Sequence, residues 1–276
     1  MLAAQVTETM QRARGRAAIR MAYRGGRNRL VDLEQAGCLK LMLPRAHEPF
    51  PAALPDAVVV NTAGGLTGGD RLDLAVDVED GASLRIATQT AERIYRSAGG
   101  AAEIRLGFNL GDGARCDWLA QETILFDGGA VRRSIEVAMA PTTSFLAVEP
   151  IVLGRTAMGE QVAHGLVTDR WQVRRDGKLV YADAMRLDDF ATLKAPAALG
   201  ANIAMATMLL VDPAADALLD PLRQRLAAFA VTAGVSAWNG LLLARFASPD
   251  ALALRRAVMA ATTLVRGEAL PRVWSM

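Results

Sequence analysis

The groups with the most chemical promise in this chain are glycines and polar residues set into apolar runs. Val58-Val59-Val60 leads into Asn61-Thr62-Ala63-Gly64-Gly65-Leu66-Thr67-Gly68-Gly69-Asp70. A strand running into glycines is the shape of a phosphate loop, where backbone N–H groups cradle the anion. Gly64 and Gly69 have that loop's spacing, but Asp70-Arg71 stands where Lys-Ser/Thr would supply the countercharge. Asp70 would repel a phosphate, and the alternating strand that follows offers no helix N-terminus. Two readings stay open. One is a plain backbone crossing that needs positive φ or close strand approach. The other is a corner that aims Asp70 into a cavity.

Three further segments carry embedded polar groups. Thr88-Gln89-Thr90-Ala91-Glu92-Arg93-Ile94-Tyr95-Arg96-Ser97 and Gln121-Glu122-Thr123-Ile124-Leu125-Phe126 interrupt apolar patterning. Buried polar groups need partners, so these predict a structural network between layers. Gly154-Arg155 and Gly159-Glu160 predict an ion pair fixing a turn. His164 near Glu160 and His47 beside Glu48 could bind a metal weakly or be ordinary hydrogen-bonded histidines. No serine has G-x-S-x-G flanks, so a serine-hydrolase elbow is absent from the sequence. Cys38 and Cys116 lack zinc-site spacing and are too few for a disulfide framework.

Strands must position these groups. Ile19, Met21 and Tyr23 alternate with Arg20, Ala22 and Arg24, and Gly25-Gly26 supplies a turn. Leu72, Leu74, Val76 and Val78 alternate with polar or small residues, as do Ile104, Leu106, Phe108 and Leu110. Val131, Ile135, Val137 and Met139 form another period-2 set, broken at Arg133. Period 2 puts one set on a buried face. Residues 72–95 align on 104–127 at an offset of 32, with Asp80-Gly81-Ala82 on Asp112-Gly113-Ala114 and Gln89 on Gln121. Such a repeat suggests stacked strand–turn–strand layers. Ile203–Val211 reads as a strand. Asp212-Pro213 predicts a helix start, with Pro221 kinking or restarting it. Ser248-Pro249-Asp250 predicts the cap of a last helix that stops at Gly267. The expected fold is mainly β: one domain of β-helix-like strand layers with about two C-terminal helices.

Composition bounds the function. The 276 residues are 52% hydrophobic and 22% charged, enough for a sizeable core. A net charge of +2 argues against nucleic-acid or membrane binding. Two histidines argue against tight metal storage. Residues 1–29 nonetheless hold seven arginines and one acid, Glu8, leaving the remainder acidic. That stretch reads as a solvated terminal arm or, more sharply, as a contact surface for an acidic partner. No apolar signal segment opens the chain, and the longest apolar run is far below the roughly 20 residues that span a bilayer. A cytoplasmic protein is expected.

Taken in order, these segments resemble the UreD (UreH) family of urease accessory proteins. The likeness runs from Arg16–Pro44 through Asn61–Asp70, Thr88–Ser97, Gln121–Phe126 and Gly154–Glu160 to Leu270-Pro271-Arg272-Val273-Trp274-Ser275-Met276. It covers a domain over 16–276. The basic arm 1–15 lies outside the pattern, and Glu92 stands where small residues are common. The resemblance implies a non-enzymatic scaffold with an all-β, β-helix-like fold and two helices. It implies binding to apo-urease, with UreF and, through UreF, the GTPase UreG as partners. It also implies an internal tunnel that carries nickel toward urease, nickel being in transit and no cofactor tightly bound. The motif positions are Gly64, Gly65, Gly68, Gly69, Gln89, Tyr95, Gln121, Gly154, Arg155, Gly159 and Glu160. Ni²⁺ accepts carboxylate and carbonyl oxygens, and a conduit must bind it weakly. By resemblance Asp70, Glu149 and Asp183 are the candidate passage residues. The alternatives are a stand-alone nickel metallochaperone and an unrelated small-molecule enzyme on a β-solenoid-like fold.

Overall fold

Alternating apolar residues become strands in two facing sheets. The computed structural model describes residues 11–44, 54–155 and 158–275; His47 and Glu48 lie outside them. The first strands are β1 (Arg14–Arg24), β2 (Arg27–Gly37), β3 (Leu39–Met42) and β4 (Asp56–Asn61). A winding segment follows: β5 (Arg71–Val78), β6 (Ser83–Thr88), β7 (Glu92–Ile94), β8 (Ala102–Leu110), β9 (Arg115–Leu119), β10 (Thr123–Leu125), β11 (Ala130–Met139) and β12 (Ser144–Leu153). The hairpin β13 (Leu166–Arg175) and β14 (Lys178–Leu187) closes the first sheet, whose order is β14-β13-β11-β8-β5-β1-β2.

The faint repeat is the rung of a solenoid. Leu72 lies beside Ile104 and Val78 beside Leu110 in one sheet. Ser83 lies beside Arg115 and Ala87 beside Leu119 in the other. Both pairs keep the 32-residue offset, so each turn of chain stacks in parallel on the last. Asp80-Gly81 and Asp112-Gly113 stack as well, the Gly81 N–H donating to the Asp112 carbonyl. Between the sheets the apolar sets meet, with Ile135, Phe145 and Trp171 almost wholly buried. Each such side chain contributes about 1.5–3 kcal/mol.

The later strands β15 (Ala204–Val211), β16 (Thr232–Trp238) and β17 (Leu241–Ser248) extend the second sheet antiparallel. Its outer face is covered by α2 (Leu219–Leu226) and α3 (Ala251–Arg266); a single extra turn, α1 (Phe190–Leu193), was not foreseen. The Asp250 carboxylate caps α3 by accepting the Leu252 N–H at 2.8 Å, and Gly267 ends it at φ +66°. Leu254, Val258 and Ala261 are buried as expected. Wholly buried Asp117 on β9 pairs with Arg266 in the last turn of α3 and with Arg115, which locks helix to sheet.

Three expectations need correction. Tyr23 is 51% exposed although Ile19 and Met21 are buried; it is the last but one residue of β1, beside the Gly25-Gly26 turn. The helix expected at Asp212 starts later. Asp212 accepts the Ala214 N–H at 2.7 Å, a 3₁₀ turn spans Ala215–Leu218, and α2 begins at Leu219. Pro221 sits in the first turn of α2, where a missing N–H costs nothing. Arg133 does not break the period of β11; it points inward with Val131 and Ile135. No helix among the described residues is long and apolar enough to cross a membrane.

Candidate functional site

Arg133 is the centre of a charged cluster inside the sandwich. β11 and β13 run side by side in a register that sets Arg133 against Asp169. Both occupy inward phases. The guanidinium grips the Asp169 carboxylate in a fork, Nε to Oδ1 at 3.0 Å and Nη2 to Oδ2 at 2.7 Å. Its Nη1 donates to Glu149 Oε2, on β12 of the facing sheet, and to Thr123 Oγ1 at 3.2 Å. Trp118 Nε1 donates to the other Glu149 oxygen at 2.7 Å. Arg133, Glu149 and Asp169 are 7%, 2% and 4% exposed. Two carboxylates thus share one guanidinium where water cannot compensate. If both ionise, one negative charge is unbalanced. Burial pushes the Glu149 carboxyl up to about 7, the Asp169 charge adds to the rise, and Arg133 opposes it.

A cavity lies on either side of this cluster. The first, about 130 Å³, is lined by Asn61, Gly64, Glu92, Gln121, Arg133 and Glu149 among others. The second, about 300 Å³, is lined by Glu149, Asp169, Met185, Met205 and Arg245 among others. Glu149 belongs to both walls. Glu92, in the first cavity, takes a hydrogen bond from Asn61 Nδ2 at 3.1 Å on each oxygen. Burial pushes its carboxyl up to about 7, against those hydrogen bonds and the charge of Arg93.

That shift has a measurable consequence. Above the usual carboxylate range and up to pH 7, the folded chain holds a proton at Glu92 that the unfolded chain has lost. Stability therefore falls as pH rises through this window and stays reduced above it. Glu92→Gln removes the penalty. It is expected to raise the unfolding free energy at pH 8 by up to about 3 kcal/mol, a gain largely gone at about pH 5. Urea denaturation at the two pH values measures it; a pH-independent effect would contradict a half-buried Glu92 that keeps its proton.

The sequence motifs gather around the first cavity and at one corner of the solenoid. Gln121 Nε2 donates to the carbonyls of Thr88, Gln89 and Val273 at 3.1, 2.8 and 2.9 Å. It therefore ties adjacent turns to the C-terminal segment, which is the inter-layer network anticipated. Tyr95 stacks edge-on against Phe126 at 5.1 Å, and its hydroxyl donates to the Gly64 carbonyl. Gly65 must be glycine, because a Cβ there would lie 2.3 Å from the Tyr95 ring. Gly68 and Gly69 complete the same corner, a Cβ on Gly68 falling 2.0 Å from Ser97 Oγ. Arg155 pairs in a fork with Glu160, as expected, and lies over the Phe126 ring at 4.4 Å. Gly154 turns beneath them at φ +81°, and Gly159 opens the return at φ +70°.

The three candidate passage acids are not together. Glu149 is in the interior cluster. Asp70 lines neither cavity: its two oxygens accept the Ala13 and Thr67 N–H groups, each at 2.8 Å, so it staples the glycine corner to the start of β1. Asp183 pairs with Arg245 at 2.5 Å, and Arg245 rather than Asp183 lines the second cavity. His164 is exposed, 4.0 Å from Asp127. Arg133, Asp169, Trp118 and Glu92 were missed as site residues. The available signal was a charge at the inward phase of a strand, at Arg133 in β11 and Asp169 in β13.

The UreD urease accessory protein family model matches residues 13–275. The chain is 48% identical over 270 residues to the urease accessory protein UreD of Dinoroseobacter shibae, covering 97% of this chain and 94% of that one. It is 43% identical over 269 residues to that of Rhizobium leguminosarum bv. trifolii, covering 96% of each. The UreD protein of Paracoccus denitrificans is 44% identical over 269 residues, covering 97% of this chain and 94% of that one.

Proposed function

This chain belongs to the UreD family of urease accessory proteins, and from that premise we propose that it is a scaffold that passes nickel to apo-urease through its own interior. The family is one of accessory proteins, not of enzymes. In this reading UreF binds the chain directly, the GTPase UreG joins through UreF, and the urease subunits receive the metal.

The observation that carries the reading is Glu149, shared by two cavities and held in a cluster with one carboxylate more than its guanidinium can balance. A proton or a passing cation restores neutrality there. Oxygen ligands suit Ni²⁺ in transit, and competition from Arg133 keeps the binding weak enough for release. Glu92 supplies a second carboxylate in the first cavity. Of the three acids suggested by family likeness, Glu149 is therefore the one assigned to the path.

The test is purification of the tagged chain from cells expressing a complete urease cluster. Apo-urease and UreF are expected to be retained, and UreG only when UreF is present. Loss of both urease and UreF would refute the scaffold. Equilibrium dialysis of the isolated chain separates conduit from store, since tight stoichiometric Ni²⁺ binding would favour a stand-alone metallochaperone.

A further inference from the structure

We propose that the outer face of the seven-stranded sheet docks an acidic segment of a protein partner. The proposal stands apart from nickel passage and gives a role to two of the arginines near the start of the chain, Arg14 and Arg16.

The parallel register lines outward side chains into rows across the strands. One row reads Arg14, Arg71, Glu103, Arg132, Thr168, Arg186. The next reads Arg16, Asp73, Arg105, Ser134, Arg170, Ala184. Six strands set ~4.8 Å apart make this strip about 24 Å long. Its seven arginines face only two acids. Arg71 pairs with Asp73 at 2.7 Å, Arg105 with Glu103 at 2.6 Å and Arg186 with Asp188 at 2.7 Å. Arg14, Arg16, Arg132 and Arg170 are exposed and have no ion-pair partner among the described residues. Half the outward charge of β1 thus joins charges that arrive from β11 and β13, more than 100 residues later in the chain.

Beside the strip runs a shallow groove of about 450 Å³ with Ala18, Ala75 and Gly107 in its floor. Small residues let an approaching segment settle close to the sheet. The backbone groups of these inner strands are already paired, so recognition must come from side chains. Arginine suits it, because a guanidinium meets a carboxylate in a two-pronged contact.

The face favours an acidic polypeptide over nucleic acid. Asp73 and Glu103 lie within the strip, and Asp77 and Glu136 line the groove. A phosphate backbone with regular charge spacing would meet these acids, whereas a polypeptide can place carboxylates opposite Arg14, Arg16, Arg132 and Arg170 alone. The strip exposes no large apolar side chain for a lipid surface.

The experiment uses the full chain and a fluorescent poly-L-glutamate long enough to span the strip, followed by anisotropy at low and high salt. Arg132→Glu/Arg170→Glu is expected to weaken binding at least about tenfold, and the wild-type affinity to fall with salt. Arg16→Glu/Arg170→Glu, in one row, gives the same result by a second route. Arg225→Glu/Arg256→Glu changes the net charge equally on the helical side and is expected to alter binding less than about twofold. Equal losses in the helical-side variant would overturn the proposal. So would duplex DNA of matching length binding more tightly than polyglutamate.

Discussion

Arg133→Met is expected to lower the unfolding free energy by about 3–5 kcal/mol, the usual cost of removing one partner from a buried ion pair. Methionine approximates the arginine stem, so little packing is lost. What remains is Glu149 and Asp169, both almost wholly buried and both without their cation. Burial already pushes the Glu149 carboxyl up, and without the Arg133 charge opposing that rise it takes up a proton more readily, so the variant should recover part of its stability as pH falls. Urea denaturation at two pH values reads both effects. The triple variant Arg133→Met/Glu149→Gln/Asp169→Asn should regain most of the loss, because neutral amides need no countercharge. An unchanged midpoint in Arg133→Met would mean that water in the adjoining cavities compensates the two carboxylates and that Arg133 does not hold the cluster together.

Arg133 also shows where sequence patterning succeeds and where it stops. Period 2 located β5, β8 and β11 and their inward faces, because alternation is a local property of one strand. The 32-residue offset located the solenoid rung, because equal turns of chain repeat equal patterns. Read locally, however, Arg133 was an interruption. Only the register against Asp169, and the arrival of Glu149 from the facing sheet, turn it into the centre of a site. Those residues are separated by 16 and 36 positions, and no spacing rule joins them. Asp70 is the opposite case, where of the two open readings the structure supports the backbone crossing. An acid after a glycine corner looked ready to face a cavity, but one carboxylate oxygen accepts the corner's own Thr67 N–H and the other accepts the Ala13 N–H from just before β1. Glycine-rich turns expose backbone donors, and the nearest acid satisfies them. The arginines of β1 fall between these cases. Their charge was visible, but their companions come from strands far along the chain.

The second large effect is functional. Urease matured with a Glu149→Gln chain is expected to contain at least about tenfold less nickel than with wild type, the scale on which metal sites respond to loss of a single supporting group. The substitution is chosen to spare the fold. Glutamine can still accept the Trp118 N–H, and Arg133 keeps its fork with Asp169, now a balanced pair. Thermal stability should therefore hold or rise while nickel transfer fails, which separates a passage role from a structural one. Asp183→Asn is the matched comparison, since its partner Arg245 and not Asp183 itself lines the second cavity; its effect should be smaller. The sign with pH follows from the Glu149 carboxyl, pushed up to about 7 by burial. Below that value a proton occupies the oxygen that Ni²⁺ would use, so wild-type transfer should decline from pH 8 to pH 6. Glu149→Gln, with no such proton to lose, should be flat over the same range apart from the remaining contribution of Glu92. Nickel content of purified urease measures wild type and both variants. A wild-type value in Glu149→Gln would show that the metal does not pass between the two cavities.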